Sequence, residues 1–167
     1  MIKRFLFDSS SIILLAEIGY LELFCDLVGS FTITSTILQE VTLKPTPIKK
    51  AVKELVANGK IQVQSISVAS HSSYQLYYTL GLHDGEISIL LAAKKKEDVI
   101  VFDDLIARSV ARTEGFSLTG ILGLLISLKK SKKLSRKETL TILSAINKTN
   151  FRMTALLYET TRKELEI

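Results

Sequence analysis

The stretch from Leu82 to Leu125 constrains the fold most, because it reads as helix, strand, helix, short strand, helix. Val99-Ile100-Val101-Phe102 is a short β-branched and aromatic run, the pattern of a strand buried on both faces. It stops at two adjacent carboxylates, Asp103 and Asp104. Strands alternating with helices imply a parallel sheet covered on both faces, and ligands of such sheets bind at the carboxyl ends of the strands. One helix earlier stands Asp84-Gly85-Glu86, in which Asp84 is the expected N-cap and Glu86 lies in the first turn. Acids therefore approach the mouth of this unit from both directions. Acids are also ordinary at helix starts, where they complement the helix dipole.

The rest of the chain repeats the alternation. Ile2 to Phe7 reads as a strand ending at Asp8, followed by Ser9-Ser10-Ser11 and an apolar helix through Ile12 and Leu15. A second short helix runs from Tyr20 to Val28, and Phe31 to Thr34 is a strand. Ser35 or Thr36 is expected to cap the next helix, which carries Ile37, Leu38, Glu40 and Val41. Pro45 and Pro47 break the pattern before a helix over Ile48 to Asn58. Ile61 to Ile66 alternates with period two, as an edge or half-buried strand does. Tyr74 to Leu80 reads as helix, and Phe116-Ser117-Leu118 as a minimal strand before a helix over Thr119 to Leu128. Ser135 with Glu138 forms a capping box, and Phe151 to Leu165 is a final helix. The expected architecture is α/β, a three-layer α/β/α sandwich on a central, mainly parallel five-stranded sheet. Residues 1–167 form one domain in this reading, with 148–167 as a helical extension. If the strands ending at Asp8 and Asp103 are neighbours across a switch point, their carboxylates converge.

Composition narrows the classes. With 167 residues and 47% hydrophobic content, the chain can bury a sizeable core and is too apolar to be disordered. No run reaches the roughly 18 apolar residues of a membrane span. The start leads straight into a strand without a signal-peptide layout. The lone Cys25, in an apolar helix, fits the core of a cytoplasmic protein. The net charge of +5 favours a polyanionic partner, with Lys129, Lys130, Lys132, Lys133 and Arg136 as the candidate nucleic-acid-binding cluster. Lys94-Lys95-Lys96 reads as a solvated helix end, and Arg108 as internally paired. His71 and His83 are unclustered, although His83 flanks the acidic turn. The faces at Tyr74-Tyr77-Tyr78 and Leu156-Leu157 read as core, or as cover for a second copy or a partner segment.

Asp8, Glu40, Glu86 and the Asp103-Asp104 pair lie inside or beside apolar runs. Carboxylates brought together repel unless their pKa values rise or a hard cation neutralises them. Oxygen donors without a Cys or His cluster point to Mg2+ or Mn2+.

At these residues the chain resembles the PIN-domain nucleases. The resemblance rests on Phe7-Asp8-Ser9-Ser10-Ser11, Ile37-Leu38-Gln39-Glu40-Val41, Asp84 to Ala92, Phe102 to Arg108, and Gly115 to Gly123. It looks closest to a prokaryotic subgroup with a GE helix start and a DD-x-x-AR motif, related to VapC-type toxins. It implies metal-dependent phosphodiester cleavage of RNA, with an antitoxin protein or a homodimer as candidate partners and no membrane. Asp8, Glu40 and Glu86 match the first three acids of the family. The fourth falls on Asp103 or Asp104, with Asp104 preferred, and the metal set is Asp8, Glu86, Asp103 and Asp104. Ser10 and Thr119 match supporting hydroxyl positions. The competing reading is a non-catalytic RNA- or protein-binding module on the same fold. An aspartyl-phosphate enzyme fits less well, because Ser10 stands where a haloacid-dehalogenase-type site wants a second Asp.

Overall fold

A computed structural model describes residues 3–44 and 46–166. Ile2, expected in the first strand, and Pro45, expected as a breaker, lie outside the described residues. Five strands form one all-parallel sheet in the order β3-β2-β1-β4-β5. They are β1 (Arg4–Phe7), β2 (Ser30–Thr34), β3 (Ile61–Gln64), β4 (Asp98–Val101) and β5 (Ser117–Thr119). Helices α1 (Ser9–Glu17), α2 (Leu21–Leu27), α3 (Ser35–Thr42) and α4 (Thr46–Ala57) lie between the first three strands. Helices α5 (Tyr74–Thr79), α6 (Asp84–Ala92) and α7 (Leu105–Thr113) flank β4. After β5 come α8 (Ile121–Lys130), α9 (Arg136–Asn147) and α10 (Ala155–Glu166). Helices α1, α3 and α4 pack on one another, as do α8, α9 and α10, giving the expected three layers.

The central strands are apolar because both their faces are covered. Leu6, Phe7, Ile100 and Val101 are fully buried, and the Phe7 and Phe31 rings stack with centroids 3.7 Å apart. Chain direction across the sheet reverses at the β1–β4 pair, where Phe7 stands opposite Val101. The residues just beyond this pair are Asp8 on one strand, and Phe102 and Asp103 on the other. The edge strand β3 has one buried position, Ile61, and its alternation is only partly followed, because Val63 on the same face is exposed at the sheet edge.

Several local expectations need correction. The N-cap of α3 is Thr34, whose hydroxyl accepts from Ile37 N–H at 3.2 Å, not Ser35 or Thr36. The strand ends at Thr34 as expected, and the helix starts directly after it. The N-cap of α6 is His83, and Asp84 instead accepts from the Tyr74 hydroxyl at 3.0 Å. Helix α6 ends at Ala92, so Lys94-Lys95-Lys96 lie beyond it and Lys96 is left-handed at φ 69°. Helix α8 starts two residues later than expected, after Gly120 as N-cap. Helix α10 starts at Ala155, so Phe151 and Met153 precede it. Tyr77 is core, but Tyr78, Leu156 and Leu157 are exposed. Cys25 is buried, and burial pushes its thiol up to about 12, which leaves it unreactive.

Candidate active site

Asp8 follows the last residue of β1 and caps α1. Its Oδ1 accepts from Ser11 N–H at 2.9 Å and its Oδ2 from the Ser10 hydroxyl at 2.7 Å. The side chain is 4% exposed. Burial raises its pKa, the bonds from Ser11 and Ser10 work against this, and the charge of Glu40 adds to the rise.

Asp103 lies across the switch point. It accepts from Ile121 N–H at 3.2 Å, at the start of α8, and from the Ser11 hydroxyl at 3.4 Å. Ser11 therefore touches both acids, through its N–H and its hydroxyl. Burial first, and the Asp8 charge second, push Asp103 up to about 6. Arg108 lowers it in part, but the guanidinium donates to the Phe102 carbonyl at 2.7 Å and forms no ion pair among the described residues. The expected pairing of Arg108 with an acid is therefore replaced by a bond to a backbone carbonyl.

Asp104 points elsewhere. It is exposed and caps α7, its Oδ1 accepting from Ile106 N–H at 2.8 Å and Ala107 N–H at 3.0 Å. Position distinguishes the pair: Asp103 is the neighbour of Asp8, whereas Asp104, the next residue, turns outward to cap α7. Asp104 remains close enough to Glu86 for its charge to raise that residue's pKa.

Glu86 reaches back from the third position of α6 to accept from His83 N–H at 2.9 Å. Burial raises its pKa, the His83 N–H opposes this, and the charges of Asp104 and Asp8 raise it further. Glu40, near the end of α3, rests against the first turn of α6 at Gly85. The two helices are held together by Thr34, whose hydroxyl meets that of Ser88 at 2.6 Å, while Ser88 donates to the Gly85 carbonyl.

The acids at positions 8, 40, 86, 103 and 104 thus collect at the carboxyl ends of β1, β2 and β4. No Lys or Arg pairs with any of them among the described residues. As the side chains stand, no group of three or more His, Cys, Asp or Glu among the described residues is close enough to hold a metal ion. Oε1 of Glu86 and Oδ2 of Asp104 accept no hydrogen bond among the described residues and keep their lone pairs free.

Thr119 ends β5 and turns its hydroxyl to the Gly120 carbonyl at 3.2 Å, against the first turn of α8. The basic cluster is not brought to the acids. Lys129, Lys130, Lys132, Lys133 and Arg136 lie at or beyond the far end of α8, about 15 Å along the helix from Asp103. Lys130 pairs with Glu164 at 3.1 Å, and Lys133 donates to the Leu27 carbonyl. The reason is topological: α8 begins at the acidic end of the sheet and runs away from it.

The contacts made by Ser11, Gly85, Gly120 and the Ile121 N–H were not foreseen from sequence. Ser11 carries a usable signal, because it stands three residues after a strand-ending Asp, where an N-cap bond falls. The glycines and Ile121 depend on contacts between distant elements.

The chain matches the PIN-domain family DUF3368 over residues 4–166. No curated protein and no solved structure gives a match. The match spans all five strands and every acid at the switch point, on a nuclease-type fold. The chain belongs to the PIN-domain family.

Proposed function

We propose that the protein is a Mg2+- or Mn2+-dependent endoribonuclease, acting as the toxin of a toxin–antitoxin pair in the cytoplasm. The observation that carries this reading is Asp8 beside Asp103: two carboxylates at neighbouring strand ends, both raised in pKa, bridged by Ser11 and unpaired with any cation among the described residues. Such a cup stores repulsion that a divalent cation relieves. The donor set is oxygen only, which fits a hard ion. Asp8 and Asp103 would hold it, with Glu86, Asp104 and Glu40 completing the site directly or through water. When bound, the ion supplies an activated water and neutralises charge on the phosphoryl group.

The chain's own residues do the rest. Ser10 and Ser11 fix the Asp8 carboxylate, and Ile121 N–H fixes that of Asp103. Glu86 and Asp104 each keep one oxygen free to orient water. In hydrolysis, water oxygen adds to phosphorus while its proton passes to a carboxylate, the bond to one ribose oxygen breaks, and that oxygen takes a proton from solvent water and leaves as a hydroxyl group. Among the described residues no helix is long and apolar enough to cross a membrane. An antitoxin segment would cover Leu105 and Ile106, which are 81% and 51% exposed beside Asp104.

The test is cleavage of single-stranded RNA by the purified protein with Mn2+. Asp8→Asn keeps the cap and loses the charge, so cleavage should fall at least about 100-fold. Undiminished cleavage by Asp8→Asn would remove this site from the reaction. The non-catalytic binding module is favoured by one observation, that no three acids among the described residues are closed around an ion position as they stand. It predicts salt-sensitive RNA binding, weakened by changes at Lys129, Lys132 and Arg136, without metal-dependent turnover.

A further inference from the structure

Gly85 stands at the second position of α6, in ordinary helical backbone that alanine would also adopt. Glycine is a poor helix former there, so its presence needs another cause. A Cβ at this position would lie 2.5 Å from Oε1, 2.8 Å from Oε2 and 2.9 Å from Cδ of Glu40. The Glu40 carboxylate therefore lies against the bare Cα of Gly85, over the positive end of α6. Nothing else fixes that carboxylate: among the described residues it accepts no hydrogen bond and forms no ion pair.

The helices cannot part to admit a methyl group without breaking other bonds. Thr34 caps α3, which carries Glu40, and its hydroxyl also meets Ser88 of α6. Ser88 in turn holds the Gly85 carbonyl at 2.6 Å. A side chain at position 85 would thus move the flexible end of Glu40 and leave the backbone in place.

We infer that Gly85 is a positioning residue: its missing side chain is the seat that brings the Glu40 carboxylate to the acidic cup. This rests on the metal-dependent reading above. Glu40 reaches the site by filling space at a helix N-terminus. The adjacency of Gly85 and Glu86 then has one physical meaning, because one residue seats an acid from another helix and the next supplies its own.

The test is Mn2+ affinity by titration calorimetry, with thermal unfolding in metal-free buffer alongside. Gly85→Ala should bind Mn2+ about tenfold more weakly. Its metal-free melting temperature should equal or exceed that of the wild type, because alanine favours helix. Glu40→Asp withdraws the carboxylate by one methylene and clears the new methyl group. In that background Gly85→Ala should cost less than about threefold, a coupling that general damage to the fold would not produce. Wild-type affinity in Gly85→Ala, or an equal loss in both backgrounds, overturns the inference alone. Failure of the wild type to bind Mn2+ overturns the metal reading and this inference with it.

Discussion

Strand β4 carries an aspartate at each end, and the two live in opposite electrostatic worlds. Asp98, at the amino end, is 5% exposed and meets the Arg4 guanidinium, whose Nε donates at 3.1 Å, and the Lys94 N–H at 2.7 Å. Burial alone would raise its pKa, but Arg4 and Lys94 outweigh burial and hold it below the usual carboxylate range. Asp103, beyond the carboxyl end, has a backbone N–H and a long hydroxyl contact but no paired cation among the described residues, and is pushed up to about 6. The same residue type thus stabilises the sheet at one end and strains it at the other. The unpaired end is the one where a ligand's positive charge has something to do.

The largest effect should come from the paired end. Arg4→Ala leaves the Asp98 carboxylate buried without its cation, which should cost about 3 kcal/mol in urea unfolding. It should leave Mn2+ affinity within about twofold, because Arg4 lies at the amino ends of the strands, opposite the acids. A loss below about 1 kcal/mol would break the contrast from this side.

The unpaired end should respond with the opposite sign. Asp103→Asn removes a partly buried, repelled charge and should stabilise the metal-free protein at pH 7.5 by about 1–2 kcal/mol, after discounting for solvent screening. Added Mn2+ should then stabilise the variant less than the wild type. A destabilised Asp103→Asn would mean that its bonds to Ile121 and Ser11 outweigh the repulsion from Asp8.

The smallest effect is on pH dependence. The ordinary aspartate value is 3.8, and folded Asp103 titrates at about 6. Between these values the folded protein keeps a proton that the unfolded chain has released. The Asp103 contribution to metal-free stability therefore falls as pH rises through about 4 to 6. Asp98 does the reverse: its contribution is present above the ordinary value and is lost as pH falls through its lowered one. Thermal melts of wild type and Asp103→Asn across pH 4–7 should differ in slope in that window, and parallel curves would contradict the assignment.

The sheet was legible because parallel strands buried on both faces leave short apolar runs, and β1, β2 and β4 have them. The strand-ending acids followed, since an acid after such a run has few reasons to be there. Fine placement was less legible. Asp103 and Asp104 are adjacent and chemically identical, and only the start of α7 decides which one turns outward to cap. Helix boundaries near hydroxyl runs slipped for a similar reason: Thr34, Ser35 and Thr36 can all cap, and the strand length selects Thr34. The basic run after Leu128 looked like part of the site because charge is visible in sequence and direction is not. Helix α8 carries it away from the acids it starts beside. The seat for Glu40 at Gly85 joins two helices distant in sequence, and a glycine in a helix start reads as punctuation until its neighbour is known.

The central claim is that Asp8 and Asp103 share one divalent ion. Crystals soaked in Mn2+ at neutral pH and measured at the manganese edge address it directly. We expect one strong anomalous peak about 2.1 Å from a carboxylate oxygen of each residue. No peak between them, at a Mn2+ concentration that supports RNA cleavage, would contradict the account.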